Sequence, residues 1–154
     1  VLTIAYVHAL DYVDFGVTAN PEMVEGLTLG YARGETEDTA DKEATESTLF
    51  AKYAVGSFTL GYQIADLDHP TAGSSLSSKS MGLTYTVSEN MSIGYHTHKL
   101  EKENNSAEQK SAGISASYTM GSMTIGGAKN TVDNMGNTLA TDVEGYEMTL
   151  SFAF

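Results

Sequence analysis

Five residues recur along this chain and limit what it can fold into. They read Leu27-Thr28-Leu29-Gly30-Tyr31, then Phe58-Thr59-Leu60-Gly61-Tyr62, then Met91-Ser92-Ile93-Gly94-Tyr95. A weaker copy stands at Met123-Thr124-Ile125-Gly126-Gly127, and an earlier one at Leu2-Thr3-Ile4-Ala5-Tyr6. Alternate side chains of a strand point to opposite faces, so each copy predicts a strand with one greasy face and one smooth polar face. The copies recur roughly every 30 residues, which leaves room for two strands of about ten residues plus one short and one longer connection. The repeat therefore predicts an array of β-hairpins.

The stretches between the copies supply the remaining strands. Residues 1–9 begin inside a strand pattern with no leader before it, which suggests a processed terminus or a piece of a longer chain. Val13, Phe15, Val17 and Ala19 alternate up to Asn20-Pro21, where the fixed φ of proline ends the ladder and predicts a connection over 20–26. Leu49, Ala51, Tyr53 and Val55 run into Gly56-Ser57, and Met81, Leu83, Tyr85 and Val87 into Ser88-Glu89-Asn90. Ala112, Ile114, Ala116, Tyr118 and Met120 run into Gly121-Ser122 in the same way. Such short connections suffice to reverse a hairpin. Polar stretches at 34–43, 66–78, 99–107 and 130–141 are expected as long loops, and Gly145 to Phe154 as the closing strand. The pattern gives ten strands, with short turns gathered at one end of the sheet and long loops at the other.

Charge narrows the function classes. Lys and Arg number 8 against 20 Asp and Glu, a net charge of −12, so no basic surface exists to neutralise nucleic-acid phosphates. The chain has no Cys, which excludes a disulfide frame and a thiolate metal site. It holds no apolar run long enough for a transmembrane helix or a signal peptide. A β-barrel needs none, because alternation leaves mean hydropathy unremarkable, here −0.19.

Alternation is also what a soluble β-sandwich shows, acting as a surface binding or structural module. Three features favour a membrane barrel. Tyr53, Tyr62, Tyr85, Tyr95 and Tyr118 lie on the apolar face a few residues from a short turn, as an interfacial aromatic band would. The opposite face is small and polar, from Thr28 and Gly30 through Ser80, Gly82, Ser92 and Ser115 to Thr149 and Ser151, with the charges concentrated in loops. The chain also ends on a hydrophobic strand with no polar tail.

That last strand resembles the terminal strand of Gram-negative outer-membrane β-barrels, which ends in Phe with apolar residues at alternate positions. Gly145, Met148, Leu150, Phe152 and Phe154 stand where the signature has its glycine and apolar residues. The hairpins, the glycine-rich polar face and the acidic loops resemble the general porin family over essentially the whole chain. The resemblance implies an all-β, transmembrane, antiparallel up-and-down β-barrel in the outer membrane. It implies a water-filled channel for passive diffusion of small hydrophilic solutes and ions. As partners it implies a homotrimer, outer-membrane lipid and lipopolysaccharide, and the barrel-assembly machinery that reads the terminal strand. General porins have about 16 strands, so residues 1–154 would be a single domain forming the C-terminal portion of a longer porin. The alternative is a complete ten-stranded barrel, an enzyme or adhesin. Its narrow lumen would need large, paired polar side chains where this sequence has Gly, Ser and Thr.

Candidate residues follow from the register. Lys52, Gln63, His96, His98 and Glu147 fall on the polar face and are expected to line the pore. His96 and His98 point the same way, but a metal would need a third ligand that the sequence does not supply. Tyr146, Met148, Leu150, Phe152 and Phe154 are expected to face the membrane and carry the assembly signal. Glu35, Glu37, Asp38, Asp41 and Glu43 offer hard oxygens that could hold a loop-bound calcium, though without the spacing of a calcium loop. A solvated acidic loop is the simpler expectation. No nucleophile-elbow, P-loop or zinc-protease motif is present. An omptin-like protease would need paired acids and a histidine at its mouth, and nothing in the sequence fixes such a group. The expectation is a protein that is no enzyme and carries no cofactor beyond that calcium.

Overall fold

The computed structural model describes residues 1–9, 12–37 and 43–153. Within them lie β1 (Leu2–Ala9), β2 (Tyr12–Ala19), β3 (Leu27–Glu37), β4 (Glu43–Val55), β5 (Phe58–Asp68) and β6 (Leu76–Ser88). They are followed by β7 (Met91–Lys102), β8 (Gln109–Met120), β9 (Met123–Asp133) and β10 (Val143–Phe152). All ten form one antiparallel sheet in chain order, the up-and-down topology that the repeat predicts. β1 and β10 are the two edges and do not pair with each other, so the sheet is an open wall.

Among the described residues no second layer covers this wall. Among the described residues the only buried hydrophobic side chains are Ala44 and Ala107. A sandwich must enclose a core between two sheets, so that reading is set aside. The large apolar side chains lie on the outside instead: Tyr62 and Tyr95 are each 45% exposed and Met148 is 82% exposed. A wall apolar on one face and polar on the other separates hydrocarbon from water.

The short turns fall where the sequence places them. Gly56 and Gly121 take φ values of 55° and 57°, the left-handed conformation that a two-residue reversal needs. The strands, however, are taller than expected. β3 and β4 continue through 34–37 and 43–48, pairing Glu35 with Thr45 and Glu37 with Glu43, so both flanks of the expected acidic loop are ladder. β7 likewise carries Lys99 to Lys102, and β9 carries Asn130 to Asp133. The reason is physical: above the apolar band both faces are polar, so period two vanishes from the sequence while the hydrogen bonds continue. β4 and β6 have 13 residues each. Strands of that length run roughly 40 Å, more than a tilted strand needs to cross an apolar band of about 25 Å.

The last long loop is fastened down. It holds a short 3-10 turn, Met135–Asn137. Asn137 is buried and its Nδ2 donates to the carbonyls of Leu100 and Ala107, both at 2.8 Å. The Gly136 amide donates to Gln109 Oε1 at 2.7 Å, tying this loop to the start of β8.

Candidate functional site

Directly paired residues of neighbouring strands share a face, so the register sorts every side chain. One row on the polar face runs Thr28, Lys52, Gly61, Gly82, His96, Gly113, Asn130, Gly145. The next row towards the long loops runs Gly30, Phe50, Gln63, Ser80, His98, Ser111. Towards the short turns, Thr59, Thr84, Gly94, Ser115, Ala128 and Glu147 form another. Lys52, Gln63, His96, His98 and Glu147 thus share the face expected of them. They are not gathered into one cluster. Lys52 and His96 are separated by Gly61 and Gly82, a span of about 14 Å at the usual strand spacing.

Between these charges the face is a lattice of satisfied hydroxyls. Ser92 Oγ and Ser117 Oγ are 2.8 Å apart, and Thr119 Oγ1 and Thr124 Oγ1 are 2.9 Å apart. Ser80 Oγ and His98 Nδ1 share a hydrogen bond of 2.9 Å. At Gly61 and Gly82 a Cβ would meet nothing within 4 Å, so the space over the middle of this face is open.

Two side chains on this face depart from the expectation of small residues. Phe50 belongs to the polar row, out of phase with Leu49 and Ala51, and its ring covers Gly30 so closely that a Cβ there would collide with it. Asn130 extends over Gly113 from one side while the His96 ring does so from the other. Its Oδ1 is buried without a hydrogen-bond partner. Strict parity counting flags Phe50. Nothing in the sequence singles out Asn130, because its neighbour His96 lies two strands away.

The apolar face also carries a correction. Met148, Leu150 and Phe152 are exposed on it. Tyr146 lies there too, but as part of a polar trio: its hydroxyl donates to the Glu144 carboxylate, and Lys129 Nζ lies 3.1 Å from Glu144 Oε2 and 5.4 Å from the ring centre. Phe154 lies outside the described residues. Glu35 and Glu37 belong to β3, not to a loop, and Glu35 Oε1 is paired with Arg33 at 3.3 Å. Asp38 and Asp41 lie outside the described residues, and the described ones bring no three acidic or histidine side chains together around a metal position.

A single up-and-down antiparallel wall with an exposed apolar face and a hydroxyl-lined face defines a class, the transmembrane β-barrel proteins of outer membranes. A family model described as Gram-negative porin matches residues 5–136. The chain belongs to the Gram-negative porin family and is a protein of the outer membrane. No curated protein matches it. Among solved structures it is similar to the outer-membrane expressed OmpT of Vibrio cholerae, at a TM-score of 0.64 and 14% identity, over 93% of this chain and 56% of that one. A likeness at that identity shows the fold alone, and the chain spans little more than half the length of the structure it matches. This match also corrects the expectation that the chain is no enzyme. A shared outer-membrane wall does not by itself decide function, so missing motifs do not exclude catalysis.

Proposed function

We propose that this chain forms part of the wall of a water-filled outer-membrane channel for passive diffusion of small hydrophilic solutes and ions. The observation that carries the reading is the open polar face. Gly61 and Gly82 look onto empty space, and further along the same face Ser80 pairs with His98 and Ser92 with Ser117. A narrow ten-stranded lumen must be plugged by bulky paired side chains, whereas a wide water channel needs only a smooth wall. In this reading Lys52, Gln63, His96, His98 and Glu147 line the pore and bias the ions that pass.

Open strand edges do not persist in hydrocarbon, because their amides and carbonyls would find no partner. We therefore take β1 and β10 to pair with further strands of the complete barrel. Family membership supports assembly as a homotrimer and recognition of the terminal strand by the barrel-assembly machinery. The test is conductance of the intact protein, purified from outer membranes, in planar bilayers. The reading expects stepwise ohmic currents that scale with bulk salt conductivity. A protein that inserts and carries no current would contradict it.

A further inference from the structure

Phe50 is out of place on the water side of this wall. From β3 to β10 no other phenylalanine or tyrosine has the parity of the polar face. Its ring lies across Gly30, which is buried beneath it. Phe50 itself is only half-buried, so part of the ring still meets water. It joins neither of the ring pairs found among the described residues, Phe15–Tyr31 and Phe58–Tyr85, both of which stand on the apolar face. An aromatic ring left partly wet, with no aromatic neighbour, is free to pack against a ring that comes from outside.

What surrounds Phe50 gives that ring a chemistry. Its cross-strand partner on β5 is Gln63, and two residues along β4 on the same face stands Lys52, whose partner is Gly61. The four residues mark the corners of a patch about 5 Å across the strands and roughly 7 Å along them. One corner is empty: a Cβ at Gly61 would meet nothing within 4 Å, and the same holds at Gly82 on the next strand. A ring, a carboxamide and an ammonium group therefore border an open floor. Gln63 and Lys52 are both exposed, and Lys52 has no ion-pair partner among the described residues. Of the described lysines, Lys102 alone shares its face, far off at the loop end of β7. The acid of β4 on that face, Glu46, lies six residues from Lys52, roughly 20 Å. The patch is a local cationic spot in an acidic chain.

We propose that Phe50, Lys52 and Gln63 form a landing site on the channel wall for small aromatic carboxylates. The solute ring packs against the open part of the Phe50 ring, offset or edge to face. Its carboxylate accepts hydrogen bonds from Lys52 Nζ and Gln63 Nε2, the first of them charge-assisted. Gly61 and Gly82 leave the floor clear for the solute to arrive and depart, and a shallow site suits a channel, where binding must stay weak enough for release. An inorganic anion would use Lys52 alone. A sugar would use the ring and the amide and leave the ammonium group without a counter-charge. The inference rests on the proposed channel, whose water side is the polar face.

The test uses the intact protein at neutral pH with benzoate as the probe, in detergent micelles and in planar bilayers. In micelles, broadening of the benzoate proton lines should report saturable binding. In bilayers, benzoate should lower the potassium chloride current over the same concentrations. Phe50→Leu still covers Gly30 and should weaken both effects roughly threefold or more, the share carried by the ring pair. Lys52→Gln should weaken both about threefold, as for an exposed charge pair. Lys102→Gln, on the same face but away from the patch, should change neither. Equal losses in the two lysine variants would reduce the site to general charge attraction and overturn it. If Phe50→Leu does not fold, the wild type still decides: cyclohexanecarboxylate, which lacks the planar ring, should bind more weakly, and equal binding of the two acids overturns the proposal. Glucose binding as well as benzoate would make the ring a sugar platform and overturn the carboxylate assignment. A protein that passes potassium chloride but neither binds benzoate nor is slowed by it overturns this inference alone. One that passes no current overturns the channel reading and takes the landing site with it.

Discussion

Gly113 shows how much a single position can decide on this wall. The His96 ring and Asn130 Oδ1 converge over it from strands on either side, and any Cβ there would collide with both. Gly113→Ala should therefore destabilise the folded protein by about 1–3 kcal/mol, the usual cost of overpacking. Gly61→Ala, facing open space, should be close to neutral in the same urea titration. Comparable losses at both sites would refute the packing account. Glu108 gives a residue-scale prediction in pH. The hydrogen bond from Lys110, seconded by Lys99, holds its carboxyl below the ordinary value of 4.5. A depressed carboxyl stabilises the fold above its unfolded pKa and loses that contribution as pH falls through the folded one. The clamp should thus persist at pH 5 and let go only in stronger acid. Wild type and Glu108→Gln should differ in thermal midpoint near neutral pH, and the difference should shrink as acid protonates Glu108. A difference that does not change with pH would count against it.

At the scale of elements, the apolar half of each strand was legible and the polar half was not. Leu60, Tyr62, Leu83 and Tyr85 announce their strands because one face must meet hydrocarbon. Thr36, Glu37, Lys99 and Glu101 read as loop because nothing apolar marks their phase, although the ladder runs through them. Parity alone assigns Lys52, Gln63, His96, His98 and Glu147 to one face, and the strand register keeps them on a common polar face. Their neighbours Phe50 and Asn130 were missed: parity along β4 alone flags Phe50, whereas Asn130 meets His96 only through strand pairing that no local window contains. The Lys129–Glu144–Tyr146 trio of β9 and β10 is of the same kind. Removing one charge from a pair on an apolar face leaves the other unsatisfied. Lys129→Met should lower the denaturant midpoint, because Glu144 and the Tyr146 ring lose the cation they share. Adding Glu144→Gln should recover part of that loss, as a double-mutant cycle of denaturant midpoints would read. Strict additivity would mean that the two side chains do not act as a pair.

For the whole molecule, the class was legible because the repeat is redundant: copies from Leu27 to Gly126 state the same alternation with the same small residue at the fourth place. Strand pairing then follows chain order with no choice to make. Charge acts at this scale too. The register puts Glu46 and Glu147 on the polar face against Lys52, within a chain of net charge −12. For the proposed channel the expected outcome is a modest cation preference, fading towards 1 M salt as the Debye length shrinks to about 3 Å. Glu147→Gln should weaken the preference and Lys52→Gln should strengthen it, read as reversal potentials across a salt gradient. An anion-selective wild type at neutral pH in dilute salt would contradict this.

One face of this wall should meet water and the other lipid, and single cysteines can report the difference because the sequence contains no cysteine. Single cysteines at Gly61 and Gly82 on one face, and at Leu60 and Leu83 on the other, would be exposed to a charged, membrane-impermeant thiol reagent during conductance recording. Rapid modification with a stepwise fall in current is expected at Gly61 and Gly82, and no reaction at Leu60 and Leu83. Modification of the two leucine sites with the glycine sites silent would reverse the faces and contradict it.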